Sequence, residues 1–152
     1  MRGRFLAEIV LSGQARSVPV ARGCAREVLE AAGHEDVHDV QLLVSELVSN
    51  AVLHSASQLC GGRITLLIAD LGPELAHVEV IDAGAATEPR LRVSGLRDCT
   101  GRGLWLVSHL ATAWGVRASG PKRGAVWVDV STAPSETATT VGEPNHVESN
   151  RS

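Results

Sequence analysis

Glu46, Asn50 and His54 follow one another at four-residue steps in the run Ser45-Glu46-Leu47-Val48-Ser49-Asn50-Ala51-Val52-Leu53-His54. On a helix that spacing puts all three on one stripe. The neighbouring stripe is apolar, so these polar groups sit at the edge of a core. A carboxylate there can accept a proton, and an amide oxygen can hold a hard cation such as Mg²⁺. A solvated helix face is the plainer alternative. A second group is Val78-Glu79-Val80-Ile81-Asp82-Ala83-Gly84, where Asp82 ends an apolar strand and Gly84 follows two residues later. A partly buried carboxylate needs a hydrogen-bonding partner, which the amino group of a ligand base would supply; an ordinary turn is the other reading. The third is Thr100-Gly101-Arg102-Gly103-Leu104, in which glycines lead into a helix. Backbone N–H groups there can approach a phosphate, and a helix N-terminus favours its charge; simple cap-and-turn packing would use the same residues. Neither the P-loop ending Gly-Lys-Ser/Thr nor the dinucleotide fingerprint is matched.

The elements that must position these residues can be read from period and punctuation. Phe5 to Leu11 is a short β-prone strand, broken by Gly13. Ser17 can cap a helix with Pro19 in its first turn. Val20, Cys24 and Val28, with Ala21, Ala25 and Leu29 beside them, form its apolar face, and Gly33 ends it as a C′ glycine. Asp36 is expected to cap a second helix reaching about Ser55, with Val40, Val44, Leu47, Val48 and Ala51 on its inner side. Ser57 to Gly62 reads as a loop. Arg63 to Asp70 and Ala76 to Asp82 read as strands joined at Leu71-Gly72-Pro73. Ala83 to Thr100, with Gly84, Pro89 and Gly95, is a long loop of the kind that is usually functional. Gly103 to Ala113 is helical. Trp114 to Ser119 and Ala125 to Val130 form a closing hairpin around Gly120-Pro121. From Ser131 the chain is polar and reads as a disordered tail, so the expected organisation is one domain over 1–131 and a tail over 132–152. Strands paired by hairpins and interleaved with helices predict an α/β (α+β) two-layer sandwich. Its sheet is mixed, mostly antiparallel, with helices on one face.

Composition narrows the function. The chain has 152 residues, 44% hydrophobic and 20% charged, which suits one globular domain. With aromatics at 3%, aliphatic side chains must fill the core. A net charge of -3 carries no basic footprint for nucleic acid. Cys24, Cys60 and Cys99 are far apart, with no zinc spacing, and read as reduced thiols. There is no apolar run near the roughly 20 residues that cross a bilayer, and Met1 to Glu8 lacks a signal core. A cytoplasmic protein is expected.

The order of the three groups adds what none carries alone. A helix with Glu46 and Asn50, a strand ending Asp82-Ala83-Gly84 and a Gly101-Arg102-Gly103-Leu104 helix start resemble the N, G1 and G2 boxes of the GHKL ATPases, whose fold is the Bergerat type. Ser45-Glu46-Leu47, Asn50-Ala51, His54-Ser55 and the late Val126-Trp127 are similar to the short anti-sigma-factor serine/threonine kinases. The resemblance spans about Phe5 to Val130. It implies that Glu46 is the base that activates the attacking hydroxyl and that Asn50 coordinates Mg²⁺. It implies further that Asp82 binds the adenine amino group, that Gly84 lets the base pack on the backbone, and that Thr100, Gly101, Arg102, Gly103 and Leu104 wrap the phosphates of ATP. Arg90, Arg92 and Arg97 lie in the implied lid, either facing the γ-phosphate or solvated.

By the same resemblance the chain is an ATP- and Mg²⁺-dependent kinase acting on a STAS-type anti-sigma-factor antagonist. It captures a sigma factor, forms a homodimer, and engages neither nucleic acid nor membrane directly. Three positions depart from the family pattern: Ala86 replaces the second glycine of Asp-x-Gly-x-Gly, Ala125 stands where a threonine often helps hold adenine, and the lid lacks a proline-rich continuation. They favour an alternative, a non-catalytic nucleotide-binding or partner-sequestering module. A histidine kinase would need a phosphoacceptor on a helical hairpin, for which His34-Glu35 is a faint candidate.

Overall fold

A computed structural model describes residues 3–54, 62–82, 101–118 and 124–135. The elements are β1 (Arg4–Ser12), α1 (Ser17–Ala31), α2 (His38–His54), β2 (Arg63–Gly72), β3 (Leu75–Asp82), α3 (Gly101–Leu110), β4 (Ala111–Ala118) and β5 (Gly124–Ser131). The five strands form one sheet in the order β1-β2-β3-β5-β4. All four ladders are antiparallel, so the parallel component allowed for in a mixed sheet is not among them. β3 is the central strand. The helices pack on one face as expected: α2 lies over β3 and β5, α1 lies against α2, β1 and β2, and α3 packs on α2 and β4.

The core between the layers is aliphatic. Val40, Leu43, Val44, Leu47 and Val48 of α2 are buried against Ile64, Leu66 and Ile68 of β2, Ala76, Val78 and Val80 of β3, and Val128 and Val130 of β5. These strand residues alternate, as a one-sided core requires. α1 buries Ala21, Ala25 and Leu29 most deeply, while Val20 is exposed. Its apolar stripe is thus centred one residue on from Val20, Cys24 and Val28.

The helix ends are partly as expected. Gly33 has φ +98, a conformation only glycine adopts without strain. Its N–H donates to the Glu30 carbonyl at 3.0 Å and that of His34 to Leu29 at 3.0 Å, the paired bonds of a Schellman end. Asp36 Oδ1 accepts the His38 N–H at 3.2 Å, as a cap should. Ser17 does not cap. It is the first residue of α1, and its hydroxyl donates to the Ser12 carbonyl at 2.6 Å, fastening the helix start to β1.

Three boundaries differ from the sequence reading. The β2–β3 turn falls on Pro73 and Glu74, because the ladder continues through Gly72 and Leu75. α3 occupies Gly101–Leu110, and Ala111 already pairs with Val130, so 111–113 belong to β4. Thr132, assigned to the tail, is 1% exposed. Its N–H donates to the Glu74 carbonyl at 2.8 Å, its carbonyl accepts from Asp36 N–H at 3.3 Å, and its hydroxyl meets His34 Nδ1 at 2.6 Å. Residues 1–2, 55–61, 83–100, 119–123 and 136–152, and with them the loops expected at 57–62 and 83–100 and the expected tail beyond 135, lie wholly or mostly outside the described residues.

Candidate functional site

The candidate residues stand on α2, on the central strand and on α3, and the backbone fixes which face and which end of each element carries them. β3 alternates Ala76, Val78 and Val80 into the core, so Asp82 falls on the same, helix-bearing face. Asp82 pairs with Ile64 on one side and Gly124 on the other. Ile64 is fully buried. Gly124, its partner on β5, has no side chain.

The direction of α2 follows from its anchored start. Asp36 is tied to Thr132, and Thr132 to Glu74, so α2 begins over the end of the sheet where β3 starts and β5 finishes. Seventeen helical residues span about 25 Å and eight strand residues about 26 Å, so α2 runs the length of β3. Its second half, with Glu46, Asn50 and the backbone of His54, lies towards the Asp82 end. Glu46 and Asn50 are half-buried, as residues at the border between the apolar face of α2 and open space must be. Asn50 and Asp82 both carry polar or electrostatic partners in the protein.

α3 contributes the third part. β4 follows Leu110 without a linker and begins opposite Val130. The first turn of α3, Gly101 to Gly103, is therefore the part of the helix farthest from that end. Val107 fixes the helix by entering the core. The glycines are the opening residues of the helix rather than a loop before it, so their N–H groups are among those a helix leaves without an internal acceptor. No acidic residue lies in that turn to offset the positive end. Trp105, 54% exposed, stacks on His109 at 4.2 Å, and His109 Nδ1 approaches the Trp105 carbonyl at 2.8 Å. Gly84, Ala86, Arg90, Arg92, Arg97 and Thr100 lie outside the described residues, and the site is built here without them.

The sequence over these elements matches a known family. The sequence model of the histidine kinase-like ATPase domain aligns with residues 11–130, from β1 to β5. This chain belongs to that family. No curated protein matches it. Histidine kinase-like ATPase domains bind ATP, typically with Mg²⁺, and the donor set fits both: carboxylate and amide oxygens suit a hard cation, and free helix-end amides suit phosphate. No described helix is long and apolar enough to cross a membrane.

Two details revise the reading of this ATPase domain. Ala125 pairs with Ile81, which places it on the sheet face turned away from the helices. The alanine at this departure from the family pattern therefore does not line the Asp82 side. His34 is buried between Thr132 and Asp70, its Nε2 3.5 Å from Asp70 Oδ1. It fastens the end of α1 and is shielded from a phosphoryl donor.

The far face of the sheet holds a polar cluster that sequence reasoning missed. Glu79, 2% exposed, accepts from Arg117 Nε at 2.6 Å, and its second oxygen accepts from Arg117 Nη2. His77 is buried, with Nδ1 2.6 Å from Asp129 Oδ1 and its ring stacked on Trp127 at 5.8 Å. The bond to Glu79, the largest cause, holds the Arg117 pKa above its ordinary value. The signal was present: His77 and Glu79 alternate with Ala76, Val78 and Val80 in a strand that the hairpin order makes central.

Proposed function

We propose that this ATPase domain is a regulatory serine/threonine protein kinase of the anti-sigma-factor type. Its substrate is a serine or threonine hydroxyl of a STAS-type antagonist, and as a homodimer it sequesters a sigma factor that the antagonist releases. The observation that carries the reading is the pairing of Glu46 with Asn50 on the stripe of α2 that borders the site. An ATP-binding module without transfer chemistry has no need of a carboxylate one helical turn from a cation-holding amide.

In this reading the adenine amino group donates to Asp82, with the base lodged beside Gly124. The phosphates rest on the main-chain amides of Thr100, Gly101, Arg102, Gly103 and Leu104, and Gly84 lets the base pack against the backbone. Asn50 would hold Mg²⁺ through its side-chain oxygen, and the ion when bound neutralises phosphate charge and orients the phosphoryl group. Glu46 accepts the proton of the attacking hydroxyl as the oxygen–phosphorus bond forms and the bond to the β-phosphate oxygen breaks. Positioning by fixed groups supplies most of the rate.

The test is transfer of label from γ-labelled ATP to the antagonist, with Mg²⁺, by wild type and by Glu46→Ala. Loss of at least about a hundredfold in rate is expected for removal of a general base, with ATP affinity within a few-fold of wild type. Equal labelling by the two proteins would remove the kinase assignment.

A further inference from the structure

The face of the sheet that carries no helix in the described structure has no evident reason to bury charge. Yet Glu79 is among the most deeply buried side chains of the molecule. It is held by a guanidinium that reaches it from two strands away: Glu79 is on β3, Arg117 on β4, and β5 lies between them. The register explains how the reach is possible. Ala125 of β5 pairs with Arg117 on one side and Ile81 on the other, while Trp127 pairs with Gly115 and Glu79. Ala125 is the direct ladder partner of Arg117 and is itself 1% exposed, so the way from Arg117 across β5 to Glu79 passes beside a small side chain. A larger side chain at 125 would stand in its path. Next to it, the Trp127 ring lies across Gly115, where an added Cβ would come within 2.8 Å of the indole. Behind the ring, His77 stacks on its other neighbour side and binds Asp129, and His77 Nε2 is 3.7 Å from Glu79 Oε2. Two acids and two bases from three strands therefore lock together, in space made by a glycine and an alanine.

Aliphatic residues would pack in such a place without the desolvation penalty, often with equal or greater stability. What directional bonds add is uniqueness of pairing. Sliding β3 by one residue against β5 would turn Asp82 from the helix-bearing face to the far face. It would also break both Arg117–Glu79 contacts and the His77–Asp129 bond at once. Glu79 lies three residues before Asp82 on the same strand.

We infer that Glu79 and Arg117, supported by His77, Asp129 and Trp127, are positioning residues for nucleotide binding: they hold β3 in register with the β4–β5 hairpin, so that Asp82 stays opposite Gly124 at the base end of the site. The inference rests on the assignment of Asp82 to the adenine amino group and deepens it. Ala125 then belongs to this brace rather than to the base.

The deciding variant is Glu79→Leu with Arg117→Leu, in the full chain. Apolar replacement keeps the thermal midpoint at or above that of wild type. Calorimetric affinity for ATP and for ADP weakens by the same factor, about tenfold, a change of about 1.4 kcal/mol; the factor is common because the base, not the γ-phosphate, is misplaced. In protein without nucleotide, amides of β3 and β5 near Asp82 exchange with solvent about tenfold faster, while those of β1 and β2 keep their rates. Glu79→Gln, which keeps shape and part of the bonding, moves both readouts in the same direction by less, and stands in if the double variant fails to fold. Unchanged affinity together with unchanged exchange in a folded variant overturns the inference. Absence of ATP binding by wild type would count against the functional reading, and the exchange rates would still decide the brace.

Discussion

Arg117 and Glu79 illustrate how unequal the two partners of one ion pair can be. The guanidinium is half in water, with its side chain 54% exposed, whereas the carboxylate is sealed beneath it at 2%. Removing Arg117 leaves a buried charge with its main partner gone; removing both members leaves neither. Arg117→Ala is expected to destabilise the fold by about 2 kcal/mol, at the low end for a broken buried pair because water can reach part of the site. Chemical denaturation of the two proteins measures this, and a difference near zero would mean that Glu79 is not dependent on Arg117. The alternation in Val78-Glu79-Val80 marks Glu79 as turned from the core face but does not reveal its partner. Arg117 is 38 residues away in sequence, so only the strand order, with β5 between β3 and β4, brings the pair within reach. By contrast the half-buried setting of Glu46 and Asn50 and the strand-end place of Asp82 follow from one helical period and one strand end, without long-range pairing.

At the scale of elements, ends are fastened more firmly than sequence propensity indicates. Asp70, near the end of β2, accepts the Gly72 N–H at 2.9 Å and pairs with Arg4 of β1 at 2.9 Å. Chiefly the Gly72 bond, with Arg4 and His34 assisting, lowers its pKa below the ordinary 3.8. A carboxyl whose folded pKa is depressed adds stability that is present above its unfolded value and lost as pH falls through the folded value. Asp70→Asn should therefore be less stable than wild type near neutrality. The gap should close as pH falls below the ordinary value of 3.8 and through the depressed folded one. Denaturation curves at several pH values check this, and a gap independent of pH would rule the carboxylate out as its source.

The elements themselves were mostly legible, with Val40, Val44, Leu47, Val48 and Ala51 of α2 buried as their period requires. The junction of α3 and β4 was not. Ala111-Thr112-Ala113 carries no turn signal, and alanine favours helix, but pairing with Val130 and Asp129 draws these residues into the sheet. Thr132 was missed for a similar reason: a polar residue at the head of a polar stretch gives no sign of the three backbone and side-chain partners that bury it.

For the molecule as a whole, membership of the histidine kinase-like ATPase family makes stability dependent on nucleotide. A ligand that binds only the folded state at a hundred times its Kd adds about 2.7 kcal/mol, which for a domain of this size raises the thermal midpoint by roughly 10 °C. Thermal scans with saturating ATP and Mg²⁺ should record that rise for wild type and for Glu46→Ala, whose carboxylate the proposed function assigns to transfer rather than to base recognition. Asp82→Asn should lose most of it. A full shift in Asp82→Asn would move the base-recognition role elsewhere.

The direct passage from Leu110 to Ala111 has a mechanical side. With no linker between them, a displacement of α3 along its axis reaches the start of the outermost strand through a single peptide bond, where the ladder irregularity between Ala111 and Ala113 is the first place that can take it up.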